Sequence, residues 1–204
     1  HPYEIAQDAR RSVARPQLVG REPEMQRMIA EARAGLGSSG RIIALAGEAG
    51  AGKTRLIEDV LQRLIMLSAD SESGIQPFFP YSVECQSYEQ NTAYAVVREL
   101  LRQFFNLHLA EDAAAQLAII ERRVAELAPD LARFSPLLGD LLGAAFDDTP
   151  LTAALTPEQR HDRAQDLVEA LILAEASARS LMLIIDDLHW ADASSHDLLG
   201  RLVR

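Results

Sequence analysis

The eight residues Gly47-Glu48-Ala49-Gly50-Ala51-Gly52-Lys53-Thr54 constrain this chain more than any other stretch. They fit the spacing G-x-x-x-x-G-K-[ST], in which backbone N–H groups must close around a di- or triphosphate and side chains must be absent where the chain approaches it. Gly47, Gly50 and Gly52 meet that need. The apolar run Arg41 to Ala46 precedes the loop, and Leu56, Ile57, Val60, Leu61 and Leu64 follow it at helical spacing. A strand buried on both faces of a parallel sheet, then a loop, then a helix is the expected succession. With this chain's own residue frequencies, a chance match is roughly one in several thousand.

Composition sharpens the point. Of the 20 Lys+Arg residues only Lys53 is lysine. A genome rich in G and C accounts for arginine elsewhere, but a planar guanidinium fits a tight loop poorly, whereas a compact ammonium can reach β- and γ-phosphates. The Thr54 hydroxyl is placed to ligate Mg²⁺. The net charge of −10 repels nucleic-acid backbones, so no direct nucleic-acid contact is expected and any polyanion must be held by a local device. Cys85 is the only cysteine, which excludes an internal disulfide and fits a reducing cytoplasm. No apolar run approaches the roughly 18 residues of a membrane helix, so no membrane association is expected.

Along the chain, residues 1–16 read as a linker or frayed lead, and 17–204 as the N-terminal part of a nucleotide-binding domain. A helix is expected from Glu22 to about Gly35, with Pro23 in its first turn. Phe78 to Cys85 reads as a second strand despite Pro80, which would place it at an edge or mark an irregularity. From about 92 to 180 the pattern is helical, with segments at Ala93 to Phe105, Glu111 to Leu127 and Asp130 to Leu142 broken by Pro129, Pro136 and Pro150. The clearest helix start is Thr156-Pro157-Glu158-Gln159, a capping box that should open a helix running to about Ala178.

Leu181 to Ile185 reads as a third strand, ending in Asp186-Asp187. Carboxylates at the C-terminal end of a buried parallel strand lie where ligands bind in open α/β sheets. Asp186 would hold Mg²⁺ through water, and Asp187 would orient or deprotonate the attacking water; a helix cap is the competing reading for Asp187. His161 and His189 read as surface or capping residues, Arg160 and Arg163 as a solvated first turn, Trp190 as packing beside the sheet, and Cys85 as a small core residue.

Taken together, Leu18-Val19-Gly20-Arg21-Glu22, the glycine loop continuing to Arg55, and Asp186-Asp187-Leu188-His189-Trp190-Ala191-Asp192 resemble the signal-transduction ATPases with numerous domains (STAND). These are a branch of the AAA+-like P-loop NTPases, and the resemblance is nearest to modules attached to class III adenylate or guanylate cyclases and to large helix-turn-helix transcriptional activators. Glu84 to Tyr94 adds to the cyclase-linked likeness. The resemblance implies an α/β fold, a P-loop parallel sheet flanked by helices, with a helical insertion between the second strand and the Walker B strand. It implies a nucleotide site formed by Val19, Gly20 and Arg21 near the adenine, with the loop residues Gly47, Glu48, Ala49, Gly50, Ala51, Gly52, Lys53, Thr54 and Arg55. ATP or ADP with Mg²⁺ would be the cofactors, with slow hydrolysis as a switch read by cyclase, winged-helix or repeat domains; oligomerisation is compatible with it. A non-hydrolysing nucleotide module and a helical interaction scaffold are the alternatives. The family's later strands, one of which lies between the Walker A and Walker B strands, do not appear after Asp186, so an unpaired gap in the sheet and a C-terminally incomplete domain are expected.

Overall fold

The computed structural model describes residues 20–37, 40–110 and 112–203. Its elements, in chain order, begin with helix α1 (Glu22–Gly37), helix α2 (Lys53–Ser68) and strand β1 (Phe78–Glu84). Helices α3 (Ala95–Phe104), α4 (Ala113–Leu127), α5 (Leu138–Leu142), α6 (Pro150–Ala153) and α7 (Pro157–Ala178) then precede strand β2 (Ser180–Asp186) and helix α8 (Ala193–Leu202). Four short 3₁₀ segments, Ser87–Glu89, Leu107–Leu109, Pro129–Leu137 and Leu188–Trp190, lie between them. The helix-rich stretch expected between two strands is thus present, and β1 and β2 pair in a two-stranded parallel sheet.

The described residues divide into two compact units, one within 20–80 with 179–182 and the other within 81–178 with 183–203. In the first, α1 and α2 bury Ile29, Ala32, Leu56, Val60 and Leu64 together with Ile75 and Phe78. The 3.6-residue periodicity of Leu56, Val60 and Leu64 places them on one stripe of α2, which is why that helix forms against α1. In the second, Ile120 and Val124 of α4, Leu137, Leu138, and Leu167 and Leu171 of α7 are almost fully buried. The capping box is present as expected: Gln159 N donates to Thr156 Oγ1 (3.3 Å) and Thr156 N to Gln159 Oε1 (3.0 Å).

Three expectations are corrected. The run Arg41 to Ala46 is not a strand. It pairs with no other strand among the described residues, and Ile42 is 71% and Ile43 41% exposed. Apolar composition makes a segment suited to a central strand, but a strand exists only where a neighbour completes its ladder. Of this run, Leu45 packs on the first unit's core. Next, Asp130 to Leu142 breaks near Pro136 as expected, but its first part is the 3₁₀ segment Pro129–Leu137 rather than an α-helix, and the short α5 follows, because Pro136 lacks the N–H an α-helix would use. Finally, Pro150 does not only break a helix: it opens α6, behind a Thr149–Thr152 capping box.

Candidate nucleotide site

The glycine loop takes its shape from two residues. Gly50 and Gly52 have φ of +75° and +80°, in the left-handed region where a side chain is strained. Gly47 is not in that region, and a Cβ there would meet Ala51 and Lys53 only at ordinary contact distance. Its smallness is therefore not demanded by backbone conformation.

Gly52 is also the N-cap of α2, and it has no side chain to close the first-turn N–H groups. Those donors lie at the positive end of the helix dipole, the arrangement that receives an anion. Lys53 turns back over the loop, its Nζ donating to the carbonyls of Gly47 (3.2 Å) and Glu48 (3.1 Å). The ammonium is thus held by two backbone carbonyls of the loop, partners that a phosphate would replace. Thr54, exposed, occupies the second position of α2.

Ahead of the loop, Gly20 has φ of +83°, and Arg21 donates to Ala51 O (3.4 Å) and pairs with Glu24 (3.0 Å). The structure therefore brings Arg21 to the glycine loop. Val19 lies outside the described residues. Arg55 pairs with Asp59 one turn along α2 (3.1 Å).

The acidic pair belongs to the second unit. Asp186 ends β2, and its Oδ1 accepts from Asp187 N at 2.9 Å. Asp187 is left-handed, with φ of 51°, and stands before the 3₁₀ turn Leu188–Trp190 without capping it through its side chain. Its carboxylate is half-exposed and 3.8 Å from His189 Nδ1, while the His189 ring lies against Trp190 in a tilted arrangement, centroids 4.7 Å apart and planes at 42°. Cys85 follows β1, its N–H donating to Asp186 O (3.0 Å). Burial pushes the Cys85 thiol up to about 11, and the negative charges of Asp187, Asp186, Asp192 and Glu89 add to the effect.

Sequence reasoning gave Asp192 no role of its own. It is 3% exposed and accepts from three backbone amides: Tyr94 N (2.8 Å), Ala95 N (3.1 Å) and Ser195 N (2.9 Å). Burial raises its carboxyl, but the hydrogen bonds from Ser195, Tyr94 and Ala95 outweigh that and hold it below the ordinary aspartate range. The D-x-x-S spacing of Asp192 and Ser195 marks a helix start. Its bond to Tyr94 has no local signal. His161, expected at the surface, bonds Tyr94 Oη through Nδ1 at 2.6 Å.

The family model of the AAA ATPase domain matches residues 17–204. The chain belongs to that family. No curated protein and no solved structure gives a match. Nucleotide binding and hydrolysis are the general activity of an AAA ATPase domain. No helix among the described residues is long and apolar enough to cross a membrane.

Proposed function

We propose that this AAA ATPase domain binds Mg²⁺-ATP on the loop Gly47 to Thr54 and hydrolyses it slowly, as a STAND-type switch in a multidomain signalling protein. The observation that carries the reading is the loop itself, which gathers two left-handed glycines, a helix start without a side-chain cap and the chain's one lysine within a few residues. Backbone N–H groups of the loop and of the first turn of α2 hold the β- and γ-phosphates, and Lys53 neutralises them. Gly20 and Arg21 would contact the purine, the role that the family resemblance gives to this segment. By the family resemblance Thr54 would be an oxygen donor to Mg²⁺ and Asp186 would hold it through water; the bound ion would supply charge neutralisation. Asp187 orients the water that attacks the γ-phosphate and takes up its proton. Cyclase, winged-helix or repeat domains read the difference between ATP and ADP states.

Lys53→Ala should lower ATP affinity by at least about 100-fold in calorimetry, the equivalent of removing a charge-assisted contact with its partner phosphate. By contrast, Asp187→Asn should keep ATP affinity and lower phosphate release by about 100-fold or more. Unchanged ATP binding by Lys53→Ala would sink the reading.

A further inference from the structure

Of the three described non-glycine residues of the second unit that are left-handed, Tyr94 (φ 60°), Asn106 (φ 55°) and Asp187 (φ 51°), Tyr94 and Asp187 lie in segments joined by one carboxylate. A non-glycine residue keeps that conformation only where its surroundings over-determine it. At its N-terminal side Asp187 is anchored by the end of β2, through Cys85 N to Asp186 O. At its C-terminal side the chain runs through the turn Leu188–Trp190 to Ala191 and reaches Asp192. There Oδ1 accepts from Tyr94 N and Ser195 N, and Oδ2 from Ala95 N. Between the two anchors Gln90 Nε2 donates to His189 O at 3.3 Å.

We propose that Asp192 is a positioning residue for Asp187: it straps the loop from Asp187 to Ala191 onto the start of α3 and so fixes the direction in which the Asp187 carboxylate points. The inference rests on the hydrolytic role given above to Asp187. Three N–H donors converge on two oxygens, which only an acceptor-only group satisfies in full. An asparagine would set its NH₂ against one of those N–H groups, and alanine would leave all three without their partner. The carboxylate also stands at the positive ends of both α3 and α8, so its charge favours the joined arrangement. With the strap gone, Asp187 is free to leave the left-handed region, and its carboxylate moves although its own residue is unchanged.

Trp190, the only tryptophan, sits inside the strapped loop and reports on it. Asp192→Asn and Asp192→Ala are compared with Ser135→Ala, which removes a buried hydroxyl of the same unit that donates to Ala132 O and does not touch Asp192. All proteins are measured well below their melting temperatures. For the Asp192 variants we expect kcat for phosphate release to fall by about 10- to 100-fold, the size of a misplaced catalytic group. KM for ATP should stay within about twofold, since ground-state binding is untouched. Acrylamide quenching of Trp190 should rise clearly in both Asp192 variants, and Ser135→Ala should match the parent in both assays. The inference is overturned if either folded Asp192 variant keeps the parent's kcat and quenching, or if Ser135→Ala loses as much as they do. If the parent itself neither binds nor hydrolyses ATP, the nucleotide reading fails separately. Trp190 then decides alone: raised quenching in Asp192→Asn upholds the strap, and unchanged quenching overturns it.

Discussion

Cys85 is where the chemistry of single residues in the second unit is easiest to read. It is buried, next to the end of β2, and four carboxylates contribute to its environment. Each of those effects favours the neutral thiol, so its value of about 11 lies above the ordinary 9.0. The thiolate is the reactive form, so at pH 8 alkylation of native Cys85 should be roughly 100-fold slower than that of a solvent-exposed thiol, before any loss from restricted access. The sign for stability follows from the same shift. Between the unfolded and the folded value the native state holds the proton more tightly, so this thiol's contribution is present below pH 9 and is lost as pH rises towards 11. Iodoacetamide labelling followed by mass spectrometry checks both the rate and its cause. Asp187→Asn removes a charge that raises the thiol, so labelling should quicken while remaining slower than in urea. Labelling at the unfolded rate in the native parent would refute this account of the site.

At the level of elements, local chemistry and tertiary partnership part company. The start of α7 was legible because its capping box closes within four residues, and both bonds are present. Thr156→Ala should therefore cost about 1 kcal/mol, read as a lower urea midpoint at unchanged slope. Gln159→Ala should cost less, and the double variant less than the two singles together, because each bond is half of one motif. Strict additivity would show that the box is not a unit. The start of α6 obeys the same chemistry at Thr149-Pro150, where proline was read only as a breaker. Arg41 to Ala46 failed for the opposite reason. Nothing in its own residues argues against a strand, and what it lacks is a pairing partner among the described residues. The site divides along the same line: the glycine loop, Lys53 and the acidic pair were legible from local spacing. The Asp192 to Tyr94 bond spans 98 positions and exists only through the fold.

For the molecule as a whole, the acidic balance and the anionic ligand pull in opposite directions, and this can be measured. The net charge of −10 sets up a field that repels ATP at a distance. Near the loop the two flanking arginines do little to reverse it, because Arg21 is paired with Glu24 and Arg55 with Asp59. That leaves Lys53, whose attraction acts at contact range and is screened little by salt. Long-range repulsion, in contrast, is screened as the Debye length falls from about 30 Å at 0.01 M to about 8 Å at 0.15 M ionic strength. The association rate of Mg²⁺-ATP should therefore rise with added salt over that range, by about two- to tenfold, while the dissociation rate changes little. Stopped-flow binding of a fluorescent ATP analogue at constant free Mg²⁺ measures both rates. A protein that gathers ATP with a basic surface would show the reverse slope, and an association rate that fell with salt here would place the capture of nucleotide on a wider patch of cations than the single loop around Lys53.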